Sequence, residues 1–289
     1  MQKVTKEHVV RTYSAAHVPA AKVQSGEVFT VETNDRFRDW NDGTSWPMEQ
    51  LTVMTGPVFV EGAKPGQVLK IDILDIRPTQ GFGYVVAIPK YGVFKDRLTE
   101  FRKKIVPIEG NHIRFNERIT LPYKPMVGKI GVAPQGDSLP SNASGPFGGT
   151  MTNLQVSPGA TVYLPVLVDG GLLTIEDVHA AMGDGEAAGS AVEMAAEVTL
   201  RCEVEKELRL TRPLVVTRAK AMTSGEGETV EAAAKVALNG LAALLMERAG
   251  VDFTEAAMLV SVAADVRLSY VGGAPYLVRA VIPREIVAL

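Results

Sequence analysis

Three runs of alternating apolar and polar residues constrain the fold of this 289-residue chain more than any other feature. They cover residues 68–76, 161–168 and 196–204, and the first two closely follow Pro/Gly turns at 62–66 and 157–159. A period of two places apolar side chains on one face, so each run predicts a half-buried strand. Many short strands joined by such turns are typical of two packed sheets. The pattern therefore predicts a mainly β chain built on a β-sandwich.

Helical patterns come late in the chain. Residues 229–249 are rich in Ala, Leu, Glu and Lys, and Gly250 stands where a helix C-terminal glycine is expected. Thr254 can cap a second helix that runs to about Ala263, and residues 282–289 form a candidate last strand. We therefore expect a β-sandwich-rich region at 1–215 that carries the site, with an α/β portion at 216–289 packed on it.

Composition excludes several classes of protein. Hydrophobic residues make up 46% of the chain and charged residues 22%, as in an ordinary folded soluble protein. With a net charge of −3 and no long Lys/Arg stripe, we expect no nucleic-acid partner. No run approaches the roughly 18 apolar residues of a membrane helix, so no membrane partner is expected. Cys202 is the single cysteine, which excludes an intrachain disulfide and favours the reducing cytoplasm.

The strongest candidate for chemistry lies at residues 176–186. His179 and the carboxylates of Glu176, Asp177, Asp184 and Glu186 surround two glycines that allow sharp backbone turns. Converging carboxylates with an imidazole can hold a divalent metal or perform general acid–base catalysis. The alternative is a histidine that only hydrogen-bonds a backbone carbonyl at the end of a strand or short helix.

Two further segments are candidates. Residues 34–42 place Asp35, Asp39 and Asp42 among aromatic residues and arginines, where they could bind a metal or substrate; the alternative is a surface turn with carboxylates paired to Arg36 and Arg38. Residues 144–153 are glycine-rich, so backbone N–H groups could approach a ligand, or the segment is an ordinary turn. No P-loop, GxGxxG or Gly-x-Ser-x-Gly pattern is present there.

Several segments in order resemble the acetamidase/formamidase family. They are TGPVFVEGAKPG at 55–66, PMVG at 125–128 with IGVAP at 130–134, YLPV at 163–166, and HAAMGDGE at 179–186. The resemblance implies a β-sandwich with an added α/β portion, usually a homodimer, that hydrolyses short linear amides to ammonia and a carboxylate.

The resemblance also implies site residues and a divalent metal ion, with zinc and calcium both open. By matched position, His179, Asp184 and Glu186 inherit the family's catalytic and metal site, and Asp35 matches an aspartate of an early Asp-rich motif that would also ligate the ion. Glu186 is the preferred general base, which would take a proton from water and deliver it to departing ammonia.

The chain departs from the family in its glycine-rich motif. The family pattern is Pro-His-Gly-Gly-Asn-Met-Asp, whereas residues 146–152 read PFGGTMT. We expect Phe147, Gly148, Gly149 and Thr150 to contact substrate, with Phe147 and Trp40 as walls of a small pocket. Hydroxyls at 150 and 152 bring no negative charge to a cation. Three alternatives follow: a site rebuilt by Asp39, Asn153 or Glu193, a different substrate, or a protein that binds a small ligand or another subunit without catalysis.

Overall fold

The computed structural model describes residues 1–37, 39–40 and 53–287. The strands, in chain order, are β1 (Gln2–Val4), β2 (Val9–Val10), β3 (Thr12–Tyr13), β4 (Ala21–Val23), β5 (Val28–Glu32), β6 (Met54–Val60), β7 (Val68–Pro78), β8 (Phe82–Ala87), β9 (Arg102–Glu109), β10 (His112–Arg114), β11 (Thr120–Pro122), β12 (Met126–Gly131), β13 (Leu139–Pro140), β14 (Ser144–Gly145), β15 (Gly148–Thr150), β16 (Thr161–Pro165), β17 (Leu173–Ala181), β18 (Val192–Glu193), β19 (Ala196–Glu205), β20 (Leu214–Val216), β21 (Lys220–Gly227), β22 (Asp265–Tyr270) and β23 (Tyr276–Pro283). The helices are α1 (Val230–Ala249) and α2 (Phe253–Ala263), and a 3₁₀ turn spans Arg284–Val287.

The strands form two large sheets. In the smaller one, of nine strands, the order is β1-β5-β19-β7-β16-β20-β21-β23-β22. The larger one has twelve strands. Nine of them follow the order β11-β10-β9-β8-β18-β17-β12-β15-β14, and the other three join through β6, which pairs with β17, β2 and β4. The predicted mainly β chain with two C-terminal helices is therefore confirmed.

The alternating runs form paired strands whose apolar faces lie in the main core. β7 and β19 pair antiparallel along most of their length, and residues of β19 alternate between buried and half-buried. Cys202, on the inward face of β19, is fully buried, and burial raises the pKa of its thiol. This agrees with a structural cysteine. The cytoplasmic location stays a prediction.

The C-terminal helices pack on the smaller sheet, and their ends follow from local chemistry. Thr229 caps α1, its side chain accepting a hydrogen bond from the backbone N of Ala232, and Gly250 ends the helix with a φ of 65°. The prediction that Thr254 caps α2 was wrong. Asp252 is the cap and accepts from the backbone N of Glu255, since an aspartate in an extended conformation performs this role well one residue before the helix.

The C-terminal portion continues the smaller sheet. The predicted last strand at 282–289 was misplaced, because β23 ends at Pro283, which has no N–H for the ladder, and a 3₁₀ turn follows. The expected boundary between 215 and 216 falls inside β20, whose neighbours β16 and β21 lie on either side of it in sequence. The division into regions 1–215 and 216–289 stays a prediction. Among the described residues, no helix is both long and apolar enough to cross a membrane.

Candidate active site

β17 carries ionisable side chains through the middle of the larger sheet. It pairs with β12 on one edge, and with β18 and β6 on the other. Glu176, Asp177 and His179 are all buried in this strand. Charged side chains are almost never fully buried unless they are paired or functional. Three of them in one interior strand therefore mark β17 as the centre of a site.

A buried cluster of one imidazole and two carboxylates forms around His179. Nε2 of His179 lies 3.2 Å from Oδ1 of Asp177 and 3.2 Å from Oε2 of Glu193. Burial lowers the pKa of His179, but the adjacent Glu193 and Asp177 carboxylates outweigh it and hold that pKa well above its usual value. The cluster is a site where positive charge is strongly favoured.

These three residues could hold a metal ion. Ligand atoms of Asp177, His179 and Glu193 all lie within 4.8 Å of one another. Bonds of 2.0–2.1 Å to a tetrahedral ion separate neighbouring ligand atoms by about 3.3 Å, which is close to the observed 3.2 Å spacings. Nδ1 of His179 is buried without a partner among the described residues, so Nε2 is the nitrogen turned towards the carboxylates. Donor types and spacing both fit a divalent cation.

Two buried cations flank the cluster. Arg36 donates a hydrogen bond from Nη1 to Oδ1 of Asp177, and its charge helps to hold the pKa of Asp177 well below the usual value despite burial. Lys129 lies on β12 directly opposite Glu176. Burial and the Arg36 charge lower the pKa of Lys129 to about 8. The Lys129 ammonium donates no hydrogen bond within the described part of the chain and lines a cavity beside the cluster.

Glu176 anchors β17 to the segment that carries Arg36. The backbone N of Asn34 donates to Oε1 of Glu176 at 2.7 Å, and Oγ1 of Thr55 donates to Oε2 at 3.3 Å. Burial raises the pKa of Glu176 to about 8. These bonds fix the backbone just before Arg36 and so position its guanidinium against Asp177.

The loop after β17 sends its two acidic side chains to different places. Glu186 lines the cavity, and burial raises the pKa of its carboxyl to about 8, with His179 acting in the opposite direction. Asp184 lies at the surface, where Nη2 of the buried Arg279 donates to Oδ1 and Oδ2, both at 2.6 Å. Between them, Gly185 forms an isolated bridge with Tyr270. Sequence reasoning grouped Asp184 and Glu186, and the structure brings only Glu186 to the cavity.

The cavity has a volume of about 140 Å³. The aromatic side chains of Phe37, Tyr91 and Tyr270 line part of it, and Oη of Tyr91 lies 2.8 Å from Oη of Tyr270. Its polar lining includes Arg36, Lys129, Thr150, Thr152, Asp177 and Glu186. A cavity on which acidic and basic side chains converge is a candidate active site for a small molecule.

Comparisons with known proteins agree on one family. A sequence profile of the acetamidase/formamidase family matches residues 4–145 and 146–288. The chain belongs to the acetamidase/formamidase family. It is similar to the crystal structure of an acetamidase from Bacillus halodurans, with a TM-score of 0.94, 36% identity, and coverage of 98% of this chain and 97% of the other. The predicted resemblance is confirmed.

Two other relatives show the same relationship at lower identity. The structure of a predicted acetamidase/formamidase from Thermoanaerobacter tengcongensis matches with a TM-score of 0.94 and 34% identity, over 99% of this chain and 97% of that one. The acetamidase of Mycolicibacterium smegmatis is 27% identical over 239 residues, 58% of each chain. The matched part spans 58–62% of the length of the curated relatives. Members of this family hydrolyse amides. The substrates of these relatives do not establish the substrate of this chain.

The second half of the segment 146–152, which departs from the family motif, borders the cavity. Thr150 and Thr152 line the cavity, and the backbone N–H groups of Met151 and Thr152 both donate to the carbonyl of Gly128 at 3.0 Å. Thr152 is buried with a φ of 45°, a left-handed conformation that is unfavourable for a β-branched residue. The segment therefore offers hydroxyls to the cavity where the family pattern has an amide and a carboxylate.

The first half of that segment packs inside the protein. Phe147 is buried against Tyr13, with ring centroids 4.9 Å apart. A Cβ on Gly149 would approach the carbonyl oxygen of Ala143 to 2.2 Å, and one on Gly148 would approach that of Ile130 to 2.5 Å. Close strand packing accounts for both glycines. Of the four predicted substrate-binding residues, only Thr150 lines the cavity; roles for Phe147, Gly148 and Gly149 stay predictions.

The acidic segment at 34–42 contributes Arg36 and Phe37 to the cavity, whereas Asp35 is not a member of the Asp177–His179–Glu193 cluster. Oδ2 of Asp35 accepts from Nε2 of Gln80 at 2.6 Å, and burial raises the pKa of Asp35 to about 6. Trp40 is buried beside Phe101, with ring centroids 4.6 Å apart, and is not one of the cavity-lining residues. Asp42 and Arg38 lie outside the described residues. Ligation by Asp35 stays a prediction.

Of Asp39, Asn153 and Glu193, the residues considered as replacements for the altered motif, the structure brings Glu193 to the cluster, whereas Asp39 is exposed and does not line the cavity. Asn153 is buried, but its Oδ1 accepts from the backbone N of Gln155, and it does not line the cavity. Lys129 was missed from the sequence, although a lone charged residue in the otherwise uncharged strand MVGKIG is a usable signal. Tyr270 was missed because its place in the wall depends on the contact between the Gly185 loop and β22.

Proposed function

We propose that this chain hydrolyses short linear amides, of the size of formamide or acetamide, to ammonia and a carboxylate in the cavity beside His179. The observation that carries the proposal is the cavity itself, in which Glu186, Lys129 and Arg36 converge. Its volume of about 140 Å³ is close to that of an engineered cavity of about 150 Å³ that holds benzene. An amide with four non-hydrogen atoms, such as acetamide, fits such a space, whereas a long acyl chain does not.

Asp177, His179 and Glu193 are the proposed ligands of a divalent ion. The imidazole favours zinc over calcium, because calcium takes oxygen ligands. When bound, such an ion polarises a carbonyl and lowers the pKa of water. Glu193 takes the ligand position that the altered motif at 150–152 does not supply.

Glu186 is the proposed general base and then general acid. A catalytic group works best when its pKa is near the working pH, and the pKa of Glu186 is about 8. The ionised carboxylate accepts a proton from the attacking water. It then donates this proton to the nitrogen of the departing ammonia.

Lys129 and Arg36 are the proposed stabilisers of negative charge on the amide oxygen. The Lys129 ammonium is buried, lines the cavity and donates no hydrogen bond to the described residues. Nε of Arg36 is also buried without an acceptor among them, while Nη1 holds Asp177. Fixed donors in a low-dielectric cavity stabilise a developing oxyanion without reorganisation.

An ammonia-release assay on formamide, acetamide and longer amides tests this function. We expect turnover of the two small amides and a steep loss as the acyl chain lengthens. Glu186→Gln keeps the shape of the side chain and removes its proton transfer, so kcat should fall by about 10² or more. Glu117→Gln, at an exposed glutamate, is the matched control and should retain full activity. A folded Glu186→Gln protein with wild-type turnover rules out the assigned role.

A second candidate function is small-ligand binding without catalysis. Thr150 and Thr152 support it, because they line the cavity with hydroxyls where the family motif has an amide and a carboxylate. The same assay, combined with metal analysis, separates the two. Bound metal with turnover supports the hydrolase, whereas neither in a well-folded protein supports the binding protein.

A further inference from the structure

Tyr91 lies at the outer rim of the proposed active-site cavity. It belongs to the loop between β8 and β9, and it lines the cavity although 36% of the residue is exposed. Lys129 and Asp177 line the same cavity and are only 2% and 4% exposed. The cavity therefore extends from a buried floor, which carries these charged groups, to a rim in contact with solvent that includes Tyr91.

The rim has one long side chain. Among the described residues, those that line the cavity and are exposed are Tyr91, Asn142, Ala274 and Pro275. The last three have shorter side chains. Tyr91 reaches from its own loop to the end of β22, where its Oη lies 2.8 Å from Oη of Tyr270. Its ring is therefore the group at the rim that can block passage between the cavity and solvent.

The turn at 187–189 also holds the ring of Tyr91. Gly189 leaves no room for a side chain, because a Cβ there would lie 2.1 Å from Cε1 of Tyr91. The backbone N–H of Val93 donates to the carbonyl of Ala187 at 2.8 Å, which holds the loop against the same turn. The ring is thus fixed between β22 and this turn, and its position does not depend on the hydroxyl contact alone.

We propose that the ring of Tyr91 is the specificity-determining group that limits the length of the acyl chain in the substrate. This inference rests on the proposed amide hydrolysis. Acetamide can lie within a cavity of about 140 Å³, whereas the chain of a longer amide must extend past the rim. With the ring in place, the added methylenes meet an aromatic wall, and a pocket that rejects one methylene discriminates by about 10–200-fold.

Chain-length selectivity measures this role. The ratio of kcat/KM for hexanamide to kcat/KM for acetamide should rise by at least about tenfold in Tyr91→Ala. Tyr91→Phe keeps the ring and loses only the hydroxyl contact, so its ratio should stay close to that of the wild type. Phe94→Ala removes an exposed ring from the same loop that does not line the cavity, and it is the matched control. An unchanged ratio in Tyr91→Ala, or an equal rise in Tyr91→Phe or Phe94→Ala, overturns the proposal.

Gly189→Ala displaces the ring without altering Tyr91 itself. The added Cβ cannot occupy its place 2.1 Å from Cε1, so the ring must move away from the turn. The ratio for hexanamide over acetamide should therefore rise as it does in Tyr91→Ala. Circular dichroism verifies that each variant is folded. A folded Gly189→Ala protein with the wild-type ratio contradicts the proposal.

Reductive alkylation of Lys129 tests the barrier without turnover. An aldehyde condenses with the neutral amine to an imine with loss of water, and cyanoborohydride reduces this imine to a secondary amine. Hexanal represents the long acyl chain, and labelling by acetaldehyde corrects for the reactivity of the amine. Peptide mass spectrometry should find hexylation of Lys129 at least about tenfold higher in Tyr91→Ala than in the wild type.

The labelling result separates failure of this inference from failure of the proposed function. No gain in hexylated Lys129 in Tyr91→Ala overturns the role of the ring, even where the wild type hydrolyses acetamide. A gain in a protein that releases no ammonia from any amide supports the ring as the barrier and refutes the hydrolysis.

Discussion

His179 and Glu193 face each other across neighbouring antiparallel strands, and Nε2 of His179 lies 3.2 Å from Oε2 of Glu193. The strand register thus places a carboxylate on the same imidazole nitrogen that Asp177 contacts. Both carboxylates belong to strands, Asp177 to β17 and Glu193 to β18, and not to loops. A metal ion held here would rest on two rigid strands, which favours a reproducible geometry.

Removal of a proposed ligand should remove the metal. Glu193→Gln exchanges a charged ligand for a neutral one of the same shape, so we expect metal affinity to fall by at least about tenfold and activity to fall with it. Metal content per chain, measured after dialysis against a weak chelator, gives the result. Glu117→Gln should retain the wild-type content. Unchanged metal content in Glu193→Gln would exclude Glu193 as a ligand.

The pH dependence of hydrolysis should be bell-shaped with a maximum near pH 8. Glu186 acts as a base only when ionised, so activity rises with pH towards its pKa of about 8. Lys129 donates a charge-assisted hydrogen bond only when protonated, so activity falls as pH rises past its pKa of about 8. The measurement is kcat/KM against pH.

Lys129→Met separates the two limbs of that profile. The variant keeps the length of the side chain and loses its charge. Its kcat/KM should be about 10² lower than that of the wild type, and its pH profile should not fall above pH 8. The acid limb, which belongs to Glu186, should remain. An alkaline limb that persists in Lys129→Met would assign it to another group.

Asp184→Asn distinguishes a metal ligand from a positioning residue. Asp184 is held by the buried Arg279, and its loop leads directly to Glu186. Asparagine can accept only one of the two hydrogen bonds, so the loop should loosen and kcat/KM should fall by about tenfold, the equivalent of about 1.4 kcal/mol. Metal content should stay at the wild-type level, in contrast to Glu193→Gln. Loss of metal from Asp184→Asn would instead support the ligation predicted from the sequence.

Much of the fold was readable from the sequence, because alternation along β7 and β19 directly reflects burial on one face. His179 and Glu186 could be chosen from local pattern and family resemblance. Their partners could not be fixed, because the pairing of His179 with Glu193 depends on a strand register that shifts between His179 and Ala181. The pairing of Asp184 with Arg279 joins residues 95 positions apart. Such contacts are set by sheet topology and leave no trace in local spacing.

Thr152 provides a matched pair of variants for the altered motif. Its φ of 45° is costly for a β-branched residue, whereas Asn and Asp tolerate it better. Thr152→Asn should therefore stabilise the protein by roughly 1 kcal/mol in urea unfolding, since such backbone strain costs about 1–3 kcal/mol. Thr152→Asp gives the same backbone relief and adds a carboxylate facing the cavity that Arg36 and Lys129 line. If the hydroxyl has replaced a required charge, Thr152→Asp alone should raise metal affinity and turnover. Equal activity in both variants would show that Glu193 already supplies the missing charge.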